Sequence, residues 1–279
     1  MNVCYYNGEF MPTSECALPV TDMSIQRGVA AFDSIRVYDG RSLAAGAHLK
    51  RLEGSAVGSG IEIGDIFTKL PQILKDGLKR DDVPRNCVIK TYITGGDIND
   101  RGHFPNPRFF VIFDEVSVPT AEERKNGVAL KPNRATRSFP LIKSTNYLFG
   151  LIPLSERDDT FFESLYITDD GEISEAMTSN FFLCKDGKIY TAPVGKVLKG
   201  VTRDIILTVA AENGIEIIER CPLESELAEA DEAFTSSSIK EVLPIVRVGT
   251  QVIGNGKPGP ITLLLHKLFL DNVHRWLDD

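Results

Sequence analysis

The 279-residue sequence predicts a mixed α+β chain of two domains. Three observations carry that expectation. Short strand-like runs near the start are closed by Asn7-Gly8 and Asp39-Gly40, dipeptides suited to tight hairpins. Runs with helical period at 48–57 and 65–78 interrupt them. A polar, broken stretch at 116–127 then separates two halves, each long enough to bury a core of its own.

Taken in order, residues 5–11 and 35–43 fold over their Asn-Gly and Asp-Gly pairs. The first helical run places Leu49, Leu52 and Ala56 on one face, and the second does the same with Ile66, Leu70, Ile73 and Leu74. Strands are expected at 87–94 and 108–113. The segment 95–105 between them is polar and glycine-rich, and is expected to be an irregular loop belonging to a site. The second half alternates strands at 128–131, 164–168, 180–184, 189–191, 215–219 and 232–235 with two helices. One helix runs over 202–212 and stops at Asn213-Gly214. The other runs over 260–276, with Pro260 in its first turn. The domains expected are a smaller N-terminal one at 1–115, a linker at 116–127 and a larger C-terminal one at 128–279 that contains Lys143.

Composition narrows the partners. With 39 acidic and 31 basic residues the net charge is −8, which offers nucleic acid no broad basic surface. An apolar fraction of 42% and a charged fraction of 25% fit an ordinary globular chain that meets small molecules. The first residues lack the basic start and apolar run of a secretion signal, and no stretch is long enough to span a bilayer, so a cytoplasmic location without membrane contact is expected. Cys4, Cys16, Cys87, Cys184 and Cys221 are odd in number, scattered and without CxxC spacing, which suggests neither disulfides nor zinc. His48, His103, His266 and His274 are equally scattered, and no metal site is expected.

The residues that carry chemistry begin with Lys143, followed thirty-two positions later by Glu175. Downstream, Lys199-Gly200-Val201-Thr202-Arg203 leaves a glycine turn and opens a helical run with Thr202 as its expected N-cap, so unpaired N–H groups and the positive dipole end converge there. Thr235-Ser236-Ser237-Ser238 forms a second turn of the same kind. An amine able to form a Schiff base, an acid able to hold a pyridinium proton and two anion-binding turns are what pyridoxal 5′-phosphate requires.

The order of these pieces resembles the class IV aminotransferases, the fold-type IV pyridoxal phosphate enzymes that include D-amino acid and branched-chain aminotransferases. The resemblance is carried by Arg27-Gly28-Val29 with Phe32-Asp33-Ser34, by His48-Leu49-Lys50-Arg51-Leu52, and by Ile142-Lys143-Ser144-Thr145-Asn146-Tyr147. Ser174-Glu175 with Ser179-Asn180-Phe181-Phe182, Leu198-Lys199-Gly200-Val201-Thr202-Arg203 and Ala230-Asp231-Glu232 with Thr235-Ser236-Ser237-Ser238 complete it. It implies that Lys143 binds the cofactor covalently, that Glu175 faces the pyridine nitrogen, and that Arg51 grips the phosphate. It further implies that Tyr147, Ser179 and Asn180 lie beside the cofactor, that Gly200, Val201, Thr202, Ser237 and Ser238 complete the phosphate cup, and that the protein is a homodimer.

Finer resemblance concerns the substrate. The spacing of Lys143-Ser144-Thr145-Asn146 is similar to that of D-amino acid aminotransferases, whereas branched-chain enzymes carry one more residue before their Asn-Tyr pair. Arg101-Gly102-His103 resembles the Arg-x-His element that binds the substrate α-carboxylate in the D-specific enzymes, with Arg27 and Lys240 as rival cations. The expected reaction moves an amino group between a D-amino acid and a 2-oxo acid, 2-oxoglutarate or pyruvate. An L-branched-chain aminotransferase and an aminodeoxychorismate lyase are the alternatives on the same fold, and a cofactor-storing or regulatory protein is the alternative from another class.

Overall fold

The structure is a computed structural model that describes residues 2–99, 103–155 and 160–278. It divides into two compact units. The first comprises Met1–Ser117, Ile142–Asn146 and Arg275–Asp279, and the second Val118–Leu141 and Tyr147–His274.

Among the described residues, the first unit carries a six-stranded antiparallel sheet in the order Glu9–Pro12, Val3–Tyr6, Asn106–Glu115, Cys87–Asp97, Ala30–Tyr38, Arg41–Ser42. Asn7 and Gly8 have φ of 50° and 91°, and Asp39 and Gly40 have 49° and 82°. Paired positive φ values are what two-residue hairpins need to follow the twist of their strands. Helices Ala45–Gly58 and Ile66–Leu78 bury the expected faces, Leu49, Leu52 and Ala56 with Ile66, Leu70, Ile73 and Leu74, in one core with Ile35, Ile89, Ile93 and Phe113. Gly77 permits that approach, since a Cβ there would lie 2.0 Å from the Phe113 ring.

Three sequence expectations are revised in this unit and at its border. Segment 95–105 is not irregular throughout, because the strand continues to Asp97 through a register shift after Thr94. Gly96, at φ 58°, is glycine for steric reasons: a Cβ would fall 1.7 Å from the Asn106 carbonyl oxygen. Lys143 does not group with the C-terminal half. The Phe32 N–H donates to the Lys143 carbonyl at 2.9 Å and the Thr145 N–H to the Ala30 carbonyl at 3.2 Å, so Ile142–Asn146 covers an otherwise open sheet edge of the first unit. The expected linker at 116–127 contains the helix Ala121–Asn126, closed by a capping box between Thr120 and Glu123.

Among the described residues, the second unit holds a nine-stranded mixed sheet whose path runs Ile217–Glu219, Lys188–Thr191, Ser179–Lys185, Glu232–Ser237, Glu241–Val248, Val128–Arg134, Glu163–Ile167, Ile173–Ala176, with Gln251–Val252 paired to Glu241–Val248. Its core gathers Leu165, Ile167, Ile173, Phe181, Leu183, Leu243 and Ile245. The helices expected here are Val201–Glu212 and Pro260–Asn272, the latter with Pro260 in its first turn and a 3₁₀ turn, Val273–Trp276, after it. Strand Glu241–Val248 escaped the sequence reading. It is buried for most of its length and contains Pro244, so it has neither alternation nor a clean propensity signal. The short helices Met23–Arg27 and Leu148–Leu154 were missed for want of length. Among the described residues no helix is long and apolar enough to cross a membrane.

The helix that carries His48 and Arg51 begins without a capping side chain of its own. Its N-cap residue, Ala44, sits at φ 49°, and the Asp278 carboxylate accepts from the Ala45 N–H at 2.6 Å instead. The tail is fixed for this by hydrogen bonds from the Ala44 N–H to the Trp276 carbonyl at 2.7 Å and from the Asp278 N–H to the Ser42 carbonyl at 2.8 Å. Asp278→Ala is expected to cost about 1 kcal/mol, the usual worth of a cap. In thermal melts that is a fall of roughly 2–4 °C, and no change would show that the cap contributes nothing.

Candidate active site

In the second unit, strand register sets a row of residues across the sheet. Glu175 pairs with Asn180, Asn180 with Ser236, and Ser236 with Val242. Leu198 is gripped at both ends: its N–H donates to Glu175 Oε2 at 3.2 Å, and its carbonyl accepts from Asn180 Nδ2 at 2.9 Å. Three residues on, the chain enters helix Val201–Glu212. A buried carboxylate is thereby tied to a helix start whose first N–H groups have no intrahelical acceptor.

The N-cap of that helix is Gly200, not Thr202. A Cβ at Gly200 would lie 2.0 Å from Asn180 Oδ1, so any larger residue would push the turn away from Asn180. Thr202 instead falls inside the first turn at 2% exposure, and its hydroxyl, like those of Thr235 and Ser236, is buried with no hydrogen-bond partner. A buried hydroxyl left unpaired costs on the order of 1–3 kcal/mol. The second turn expected at 235–238 is mostly strand: Thr235, Ser236 and Ser237 belong to strand Glu232–Ser237, and the turn begins at Ser238. Thr235 and Ser236 therefore face opposite sides of the sheet, and a ligand supplying acceptors would explain Thr202 and Ser236 but not Thr235 as well.

Glu175 is buried and its Oε1 accepts from Arg137 Nη1 at 2.6 Å. Arg137 was missed in the sequence, where it is one cation in an irregular stretch with no motif to mark it. Burial raises the Tyr147 phenol well above its ordinary range, Arg137 opposes this, and Glu175 adds to it, so the group stays an O–H. Lys240 places its ammonium 2.6 Å from Glu163 Oε1, 2.5 Å from Thr178 Oγ1 and 3.2 Å from Ser179 Oγ. Its charge is met by a carboxylate that is only 2% exposed. Ser179 also donates to Glu163. Ser237 Oγ accepts from the Lys240 N–H at 3.2 Å, closing the second turn.

In the first unit, Arg51 grips Asp33 through Nε at 2.8 Å and Nη2 at 2.7 Å, and His48 Nδ1 lies 2.8 Å from the same carboxylate. Burial would raise the Asp33 pKa, but Arg51 and His48 outweigh it and hold the carboxyl well below the usual range. Asp33 and His48 lie within segments that carry the resemblance, but an aspartate 18 positions from its arginine, on a different element, carries no local signal of the pairing. Lys143 is partly buried, with Nζ 4.7 Å from the centroid of the Phe32 ring, and its N–H donates to Ser55 Oγ at 3.0 Å. Arg27 is exposed at the end of helix Met23–Arg27 and donates to the Gln26 carbonyl at 2.9 Å. His103 is exposed, its N–H bonded to Asn99 Oδ1 at 2.9 Å. Arg101 lies outside the described residues.

Comparison with known proteins defines the class. The family described as amino-transferase class IV matches residues 30–248. A D-alanine aminotransferase of Bacillus licheniformis is 31% identical over 263 residues, covering 92% of each chain. A branched-chain-amino-acid aminotransferase of Pseudomonas aeruginosa is 27% identical over 285 residues, covering 97% of this chain and 92% of the other. Among solved structures, the branched-chain amino acid aminotransferase of Escherichia coli superposes with a TM-score of 0.87 at 25% identity, covering 99% of this chain and 98% of that one. This is a fold-type IV enzyme scaffold. The chain belongs to the class IV aminotransferases, whose cofactor is pyridoxal 5′-phosphate.

The residues present fit that cofactor. The Thr202 and Ser236 hydroxyls, buried without a partner, could each donate to an acceptor of such a group, and the buried Glu175, held by Arg137 and Leu198, could accept from a protonated ring nitrogen.

His48 gives the first unit a pH dependence. Burial lowers its pKa from 6.5, Asp33 opposes, and Arg51 and Lys143 add to the lowering. The unfolded chain therefore takes up a proton below about pH 6.5 that the folded chain refuses, and stability falls as pH drops through that value. The melting temperature is expected to fall between about pH 7 and about pH 5, and to fall less in His48→Asn. Parallel slopes in the two proteins would contradict the assignment.

Proposed function

We propose that this class IV aminotransferase acts on D-amino acids and passes the amino group to 2-oxoglutarate or pyruvate. The observation that carries the reading is the short spacing from Lys143 to Asn146, the spacing of the D-specific enzymes. Identity to a D-alanine aminotransferase supports it. An L-branched-chain specificity is the second reading, favoured by relatives of that name at similar identity. An aminodeoxychorismate lyase is a more distant third.

Bound pyridoxal phosphate supplies a carbonyl carbon for the substrate amine and a ring that accepts the electrons released at Cα. Lys143 holds the cofactor, yields to the incoming amine and then carries the α-proton as general base and acid. The Phe32 ring lies against the end of its side chain, with Nζ 4.7 Å from the ring centroid, and helps to fix where the amine sits. Glu175, oriented by Arg137 and the Leu198 N–H, keeps the ring nitrogen protonated. Arg51, the N–H groups of Val201 and Thr202, the Thr202 hydroxyl, Ser237 and Ser238 take the phosphate. Tyr147, Ser179 and Asn180 line the cofactor. For the substrate carboxylate, Arg101 and His103 lead and Arg27 is the rival. Lys240 drops behind both because Glu163 already meets its charge.

The working form proposed is a homodimer. Support comes from helix Leu148–Leu154, which leaves Leu148, Phe149, Leu151 and Ile152 at 62%, 65%, 50% and 55% exposure.

Purified protein given D-alanine, L-leucine or aminodeoxychorismate in separate assays, with 2-oxoglutarate as acceptor for the two amino acids, is expected to turn over D-alanine. Consumption of L-leucine with no activity on D-alanine would reverse the assignment. Arg101→Ala is expected to raise KM for the D-amino acid by about tenfold or more, the effect of losing a charged carboxylate contact; if Arg27→Ala does so instead, the carboxylate binder is Arg27.

A further inference from the structure

The second anion-binding turn is pinned by a residue far from it in sequence. Arg124, on helix Ala121–Asn126, donates through Nη1 to the Lys240 carbonyl at 3.1 Å and the Val242 carbonyl at 3.4 Å. Its Nη2 lies 3.2 Å from Glu241 Oε2. One guanidinium thus holds the residue before Glu241, Glu241 itself and the residue after it. His266 Nε2, from helix Pro260–Asn272, meets the same carboxylate oxygen at 2.9 Å.

Glu241 is also backbone-strained. It opens the strand opposite Ser237 at φ 59°, in the left-handed region that favours glycine. A glutamate persists at such a position when surrounding contacts over-determine it. Those contacts are the Arg124 and His266 bonds on one side and, through its neighbour Lys240, the Glu163 and Thr178 bonds on the other. What the pinned turn presents is Ser237 and Ser238.

We propose that Arg124 is a positioning residue for phosphate recognition, fixing turn 237–241 so that its N–H groups and hydroxyls are set for an anion. Its own donors are engaged by internal acceptors, so it acts through the turn and does not contact the phosphate. The inference rests on the reading of this turn as half of the phosphate cup, and the test separates the two.

Protein stripped of its cofactor is titrated with pyridoxal 5′-phosphate and, separately, with pyridoxal, which has the same ring and no phosphate. Binding is followed by near-visible absorbance and by the fluorescence of Trp276. Arg124→Met is expected to weaken pyridoxal phosphate binding by about tenfold or more while pyridoxal changes by less than about twofold. Arg124→Lys should fall between, since a single ammonium cannot reproduce the fork. Glu241→Gly, which suits the backbone and removes the anchor, is expected to fold and to show the same phosphate-selective loss. Equal weakening of both ligands, or no change in either, in Arg124→Met and Glu241→Gly overturns the proposal. Ser238→Ala is the control: a phosphate-selective loss there with none in Arg124→Met overturns the positioning role alone. An unchanged ratio in Ser238→Ala as well as in Arg124→Met overturns the cup reading and the proposal with it.

Discussion

The backbone of Leu198, held between Glu175 and Asn180, is the constraint on which the second unit's chemistry depends. Strand register puts Glu175 and Asn180 side by side, and the two side chains then take the N–H and the carbonyl of one residue. That grip fixes where helix Val201–Glu212 begins, and hence where its unpaired N–H groups point. The place of the helix start relative to the Glu175 carboxylate is therefore set by sheet pairing together with these two side-chain bonds. Gly200 is needed because Asn180 occupies the space a side chain would take.

Charge is arranged on the same principle in both units. Arg51, Asp33 and His48 form a buried set in which the carboxylate is satisfied by a bidentate guanidinium and an imidazole. Glu175 with Arg137, and Glu163 with Lys240, repeat the pattern. Removing one member of such a set leaves its partner desolvated and unpaired, which is more costly than never having built the pair. Among the buried groups left without a partner are the hydroxyls of Thr202, in the first turn of helix Val201–Glu212, and of Ser236, paired with Asn180.

Much of this was legible in the sequence because it is written locally. Asn7-Gly8 and Asp39-Gly40 specify their hairpins through backbone conformation alone, and the apolar faces of helices Ala45–Gly58 and Ile66–Leu78 follow from period. Lys143, Glu175 and the Gly200 turn could be singled out because each has its own short motif, whereas Thr235-Ser236-Ser237, turn-like in composition, is strand because it pairs with Glu241–Val248. What escaped depends on distant pairing. Lys143 groups with the first unit because the edge of strand Ala30–Tyr38 lies open to it, a fact of sheet order. The Lys240 ammonium meets Glu163 across 77 positions, so a cation that looked available for substrate is already matched. Arg137 and Arg124 lie outside any motif and gain meaning only from the carboxylates they reach. Thr202 has the composition of an N-cap, but Gly200 takes that place, since the Leu198 grip sets the helix start earlier.

The claim at the centre is that the cofactor is joined to the Lys143 amine. Borohydride reduction of the intact protein, followed by digestion and mass spectrometry, reads this directly, because reduction makes the attachment permanent. The phosphopyridoxyl mass is expected on the peptide that contains Lys143 and should be absent from Lys143→Ala. Its appearance on Lys199 or Lys240, or its absence from every lysine of protein saturated with cofactor, would contradict the account.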